Sequence, residues 1–137
     1  MDVYNTDGFF VRLLGGGTLK SLCDITAAND GRVMVVDCDD YVHIFSKAGG
    51  QLVKFKLQGR YYSLKIAFHV LTEHVVIAGA KEESVVVVEI FTKDGEFVRS
   101  SQIHERSRGI AGMTVTRDGR IALLLQDIDD TGKVLVI

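Results

Sequence analysis

An internal repeat of 46 residues constrains the fold of this 137-residue chain more than any other feature. Three segments with the same pattern end 46 residues apart: Val42–Phe45, Val88–Phe91 and Val134–Ile137. A second phrase, Asn29–Val33, recurs near the end of the chain as Arg117–Ile121. Because one unit of this size cannot bury its hydrophobic face alone, such units stack on their neighbours and share a continuous core.

Each repeat has the pattern of short β-strands joined by tight turns. Continuous apolar runs such as Val33–Val36 and Ile121–Leu125 are typical of strands buried on both faces. Leu52–Lys56 mixes apolar and charged residues, as expected for an outer strand near water. Asp-Gly pairs favour hairpin turns, because glycine accepts a positive φ without steric cost. Four strands in 40 to 50 residues are typical of a β-propeller blade, so the sequence predicts an all-β fold with three four-stranded blades per chain.

The two ends of the chain fall at the same place in the repeat, as Tyr4 and Ile137 show. We therefore expect an outer strand for exchange within residues 1–14, blades at 15–57 and 58–103, and a partial blade at 104–137 that lacks an outer strand. Natural propellers have about four to eight blades, and unpaired strand edges recruit other chains. The sequence thus predicts a homodimer in which each exchanged strand completes the partner's third blade and closes a six-bladed ring; the alternatives are a different closed number of chains or a fragment that aggregates. The exchanged strand is expected to carry Phe9, Phe10, Val11 and Leu13.

The repeats resemble the NHL repeats of β-propellers at the C-terminal end of tripartite-motif proteins. The resemblance is carried by Asp24–Asp37 followed by Val42–Phe45, and by the third copy at Met113–Ile121. It covers essentially the whole chain. The resemblance implies a six-bladed, non-enzymatic scaffold that recruits protein or RNA targets for a ubiquitin ligase whose RING domain lies elsewhere.

Basic and aromatic residues concentrate in the connections from the outer strand of one blade to the inner strand of the next. These candidate binding residues are Lys20, Arg60, Tyr61, Tyr62, Arg106 and Arg108. Arginine beside an exposed tyrosine suits single-stranded RNA, because guanidinium groups pair with phosphates and rings stack on bases. The same residue types suit a protein partner, since both anchor protein interfaces. A third interpretation is that Tyr62 packs into the blade and the arginines only keep the rim soluble.

Residue patterns for catalysis or metal binding are sparse. The acidic clusters Asp37–Asp40 and Asp127–Asp130 are interpreted as turns; the second resembles the start of a calcium loop but lacks the closing glutamate. Gly15–Gly17 lacks the Lys-Ser/Thr ending of a phosphate loop. We expect no enzyme, metal, cofactor or small-molecule substrate. The alternative is a metal-dependent propeller hydrolase or lyase, for which the innermost segments offer Asp24, Thr26, His69 and Thr114.

The remaining features concern the cellular setting. Cys23 and Cys38 are interpreted as small buried or half-buried residues with reduced thiols. No apolar run reaches the roughly 18 residues of a membrane helix, and the first residues lack a signal-peptide pattern. We therefore expect a reduced, cytoplasmic protein without membrane contact. The chain has no proline, where average usage predicts about seven, so an excised or engineered half-propeller whose main property is self-assembly is an alternative.

Overall fold

The computed structural model describes residues 2–4, 10–13, 19–82, 84–127 and 129–137. Every regular element in these ranges is a β-strand, and none of them contains a helix that could cross a membrane. The strands are β1 (Asp2–Tyr4), β2 (Phe10–Leu13), β3 (Leu22–Ala27), β4 (Val33–Asp37), β5 (Tyr41–Phe45), β6 (Gln51–Lys56), β7 (Tyr62–His69), β8 (His74–Glu82), β9 (Val85–Thr92), β10 (Phe97–His104), β11 (Gly109–Val115), β12 (Ile121–Gln126) and β13 (Gly132–Val136).

The strands form successive antiparallel sheets in chain order. Strands β3 to β6 make the first blade, β7 to β10 the second, and β11 to β13 the third, which has three strands within the described residues. The prediction of an all-β chain built from blades is confirmed. Strands β1 and β2 pair with each other as a separate two-stranded sheet, where the sequence predicted a single strand. The repeat explains the additional strand β1, because Val3-Tyr4 corresponds to Ile44-Phe45 at the end of β5, the third strand of the first blade. Phe9 lies outside the described residues.

Each blade has a forward face, towards the next blade in the chain, and a rear face, towards the preceding one. Strand β8 shows the alternation: Val75 and Ile77 pack on the first blade, whereas Val76 and Ala78 pack on the third. This division follows from the period of two in a β-strand. The same division explains why the segment Val75–Ala78 is apolar at every position, since both faces of the middle blade are covered.

Two hydrophobic cores join the three blades. The first lies between the forward face of the first blade and the rear face of the second, and its buried members include Met34, Val36, Val42, Ile44, Ile66, Phe68, Val75, Ile77 and Phe91. At its outer edge the ring of Phe91 contacts those of Phe55 and Phe97, with centroids 4.7 Å and 5.6 Å away. The second core repeats the arrangement one blade later, with Val76, Ala78, Val86, Val88, Ile90, Ile110, Ile121, Leu123 and Leu125.

A disulfide joins Cys23 to Cys38, with their Cα atoms 5.8 Å apart. The expectation of two separate thiols in a reduced protein is therefore wrong. The antiparallel pairing of β3 with β4 places Leu22 opposite Asp37, which brings the two cysteines together. A bond that closes a loop of about 15 residues stabilises a fold by about 3 kcal/mol. Because disulfides persist mainly in oxidising compartments, this bond weighs against the cytoplasmic location expected from the sequence.

The turn between the first two strands of a blade requires a left-handed backbone. Gly31 and Gly119 supply it in the first and third blades, with φ of 89° and 88°. In the second blade the equivalent residue is Glu73, which adopts a φ of 57°. A residue with a Cβ pays about 1–2 kcal/mol for this conformation. The second blade therefore holds local strain at Glu73.

Replacing Glu73 with glycine is expected to raise the free energy of unfolding by about 0.5–1 kcal/mol, because the gain in backbone energy exceeds the added entropy of unfolded glycine. Equilibrium urea unfolding measures the change. Glu73→Ala is the matched control: it removes the same ion pair to Lys93 Nζ, 3.3 Å away, but keeps the Cβ. An equal effect of both substitutions would contradict the backbone explanation.

Candidate recognition surface

One end of the blades gathers the connections between blades and the turns between second and third strands. Backbone hydrogen bonds join these segments: Leu57 N donates to the Asp40 carbonyl at 2.8 Å, and Arg108 N donates to the Gln126 carbonyl at 2.7 Å. We call this end the loop face. It comprises residues 19–21, 38–40, 57–61, 84, 105–108, 127 and 129–131.

The structure places the predicted basic residues together on the loop face. Arg60 is 89% exposed in its side chain, and Lys20, Arg106 and Arg108 are also exposed. The connections that carry them occupy equivalent places in successive repeats, which is why they share one end of the blades. The side chains of the exchanged-strand residues Phe10, Val11 and Leu13 are not described.

Carboxylates from the acidic clusters lie beside these arginines. Arg60 Nε is 3.8 Å from Asp40 Oδ2, and Arg108 Nη1 is 3.6 Å from Asp130 Oδ1. The Arg108–Asp130 pair is exposed on both sides, and a pair of this kind is worth less than about 1 kcal/mol, so a partner can displace it. Asp40 is buried instead, and its carboxylate also accepts a hydrogen bond from Tyr61 N at 3.3 Å. The exposed basic residues and the exposed carboxylates Asp39, Asp129 and Asp130, which the sequence showed as separate features, therefore share one surface that carries both charges.

The acidic turns are stabilised by hydrogen bonds of their own. Asp129 Oδ1 accepts bonds from the hydroxyl of Thr131 at 2.5 Å and from its backbone N at 3.1 Å. These bonds hold the pKa of the Asp129 carboxyl below its usual value, and the charge of Arg106 adds to the effect. Across residues 19–82, 84–127 and 129–137, no three His, Cys, Asp or Glu side chains are grouped so that they could hold a metal ion.

Glu89 is a buried residue of the site that the sequence analysis missed. It lies in β9, is 1% exposed, and accepts hydrogen bonds from Gln58 N at 2.8 Å, Gly59 N at 3.1 Å and the hydroxyl of Tyr61. These bonds fix the connection 57–61 on the loop face. A single carboxylate inside the apolar run Val85–Phe91 is the sequence signal that pointed to it.

Tyr61, rather than Tyr62, packs into the blade. A Cβ at Gly79 would collide with Tyr61, so this close approach depends on glycine. Burial raises the pKa of the Tyr61 phenol, and the hydrogen bond to Glu89 and the nearby carboxylate charges raise it further. Tyr62 is exposed at the start of β7 and is the tyrosine of this pair that presents its ring to solvent.

The residues considered for an enzyme site are divided between two places. Asp24, Thr26 and Thr114 line a cavity of about 300 Å³ along the inner strands, where Asp24 Oδ2 accepts a bond from Ile66 N at 2.9 Å. His69 is not part of this lining; its Nε2 lies 2.8 Å from the Gly119 carbonyl. Both bonds link neighbouring blades, which gives Asp24 and His69 structural roles.

His43 has a structural role. Its Nε2 lies 2.8 Å from Asp37 Oδ2, and its Nδ1 lies 3.3 Å from the Gln51 amide nitrogen. Both His43 and Asp37 are buried. The other Asp37 oxygen accepts bonds from two backbone N–H groups of the following turn, which orients the loop face of the first blade.

Tyr61→Phe is expected to lower the free energy of unfolding by about 1.5–3 kcal/mol at neutral pH, because buried Glu89 loses a hydrogen-bond donor. The folded-state pKa of Tyr61 lies above its unfolded value of about 10. The wild-type chain therefore keeps this stabilisation below about pH 10 and loses it as the pH rises further, whereas the variant lacks that loss. Urea unfolding at neutral and alkaline pH measures both effects. Tyr62→Phe is the control and should change stability by less than about 0.5 kcal/mol; an equal loss in the control would contradict the role of Tyr61.

Several solved structures have a similar fold. Selenomethionine-substituted virginiamycin B lyase from Staphylococcus aureus matches with a TM-score of 0.63 at 10% identity, over 98% of this chain and 47% of the lyase. A catalytically inactive histidine-to-alanine variant of that lyase with quinupristin matches with a TM-score of 0.63 at 11% identity, over 99% and 48%. A chain of the mitotic checkpoint complex matches with a TM-score of 0.61 at 9% identity, over 85% and 36%.

No protein-family model and no curated protein matches the sequence. The similar structures are β-propellers, and at identities near 10% they show the fold alone. The chain spans about half the length of the lyase chains it matches. Its repeats are therefore blades of a β-propeller-like fold.

Proposed function

We propose that this chain is a non-enzymatic recognition module that binds a protein partner through the loop face. The supporting observation is that exposed cations and exposed carboxylates share that face, where Arg108 pairs with Asp130 and Arg60 is exposed. A weak exposed pair such as Arg108–Asp130 can exchange its partner for a complementary charge on another protein, which gives specificity more than bulk affinity. The exposed ring of Tyr62 beside Arg60 supplies an anchor of the kind enriched in interfaces.

The same observation disfavours single-stranded RNA as the partner. Affinity for RNA depends on unpaired positive charge that neutralises phosphates. On the loop face the arginines stand beside carboxylates, and the chain as a whole carries a net charge of −2. Of the adjacent tyrosines only Tyr62 presents an exposed ring, whereas stacking platforms use several rings in succession.

The resemblance to NHL propellers supplies the wider setting of the proposal. In the tripartite-motif proteins, such propellers recruit targets for a ubiquitin ligase whose RING lies elsewhere. The proposal gives this chain the recruiting part of that arrangement. Lyase activity is not proposed, because a shared fold does not carry a shared reaction.

A capture experiment with a matched control tests the proposal. The immobilised full chain is exposed to a cell lysate and to a displayed peptide library, beside Arg60→Glu/Arg106→Glu and Arg117→Glu/Arg120→Glu variants. The second variant makes the same charge change on the turn at the opposite end of the blades, where Arg120 pairs with Asp118 at 3.5 Å. We expect protein or peptide ligands that the first variant loses at least tenfold and that the second retains.

Two results would contradict the proposal. One is capture that both variants retain equally, which would place binding outside the loop face. The other is binding of a fluorescent uridine oligomer that the loop-face variant loses while peptide capture is absent, which would assign the surface to RNA.

A further inference from the structure

We propose that a second copy of this chain completes the third blade, with its strand β2 pairing along the outer side of β13. This inference concerns the unpaired side of β13 and the exposed faces of the first and third blades, not the loop face. It therefore goes beyond the proposed recognition function. Five features support it: an open strand edge, an exposed forward face, an exposed rear face, a cavity beside Ile137, and a strand whose sequence fits.

The third strand of each complete blade is paired on both sides. β5 lies between β4 and β6, and β9 lies between β8 and β10. β13 pairs with β12 on one side only, among the strands that the structure describes. Backbone groups along such an edge offer a template for another strand.

The forward face of the third blade is apolar but exposed. Leu124 is 46% exposed, Val134 68% and Val136 47%. The equivalent residues of the first blade, Val36, Val42 and Ile44, are each 0% exposed because the second blade covers them. The repeat therefore identifies this surface as one built to lie under the rear face of another blade.

The rear face of the first blade is exposed and can receive such a forward face. Ile25, on the inner strand of the first blade, is 52% exposed, whereas its equivalent in the second blade, Ile66, is 3% exposed. Leu22 beside Ile25 is also exposed. The two exposed surfaces are thus one forward face and one rear face. Contact between a forward face and a rear face forms each of the two internal cores.

A cavity of about 630 Å³ lies at the outer edge of the second core. Its walls include Val88, Ile90 and Ile137. In the first core the place of Ile137 is taken by Phe91, which is covered by Phe55 and by Phe97 of the outer strand. The cavity therefore marks the place where an outer strand of the third blade would pack.

The sequence of β2 fits this vacant place. Asp7 to Arg12 and Asp94 to Arg99 share the pattern Asp-Gly-x-Phe-Val-Arg. The register also agrees: β1 and β2 pair Tyr4 with Phe10 and Val3 with Arg12, and β9 and β10 pair Phe91 with Phe97 and Ile90 with Arg99. Phe10 is thus the equivalent of Phe97.

A symmetric dimer satisfies all of these surfaces at once. The forward face of each third blade meets the rear face of the partner's first blade, and each β2 leaves β1 to pair with the partner's β13. Phe10 then covers Ile137 as Phe97 covers Phe91. Three blades from each chain give a ring of six, within the range of natural propellers.

Size-exclusion chromatography with light scattering tests the inference on the full chain. We expect twice the chain mass of 15.1 kDa for the wild type. Val134→Asp and Phe10→Asp should each shift the mass to that of one chain, with circular dichroism reporting whether the strands persist. Leu71→Asp is the matched control, because Leu71 is 66% exposed on the turn after β7, away from both open faces. It should leave the mass unchanged.

Cross-linking gives a second readout that does not depend on the folding of destabilised variants. Arg12→Cys combined with Val136→Cys should form a covalent dimer under mild oxidation, because these positions correspond to the paired Arg99 and Ile90. A folded wild-type monomer at micromolar concentration would overturn the inference and assign the open faces to other protein segments. An assembly with other than two chains, or Val134→Asp that remains dimeric, would also overturn it.

Discussion

Contact between successive β-sheets is the interaction on which the rest of this structure depends. Strand segments such as Val75–Ala78 are apolar on both faces, so each sheet needs a neighbour on either side. Burial of these faces supplies the main driving force, at about 25 cal/mol per Å² of apolar area. A chain of such sheets is stable only where the series of contacts continues or closes on itself.

This stacking also creates the surface that recognition requires. The connections between blades are short and are held by carboxylates, with Asp40 and Glu89 binding the backbone of 57–61. Rigid positioning of Arg60 and Tyr62 lowers the entropy lost on binding. The loop face is therefore a consequence of the same repeat that builds the cores, and substitutions in either part are expected to affect the other.

The sequence predicted the features that depend on periodicity. The all-β sheets and the Asp-Gly turns at Gly31 and Gly119 follow from local patterns that recur, and the structure contains them. Features that depend on strand register escaped prediction. An irregularity in the pairing between Tyr62 and Lys65 decides which tyrosine points inward, and a similar irregularity after Leu22 accompanies the approach of Cys23 to Cys38.

A crystal structure of the full chain tests the central claim most directly. We expect sheets arranged around one axis. On every blade, the forward-face residues equivalent to Leu124, Val134 and Val136 should be covered by the rear face of another blade. A sandwich or barrel closed within one chain, or a third blade whose Leu124 and Val134 face solvent in an isolated molecule, would contradict it.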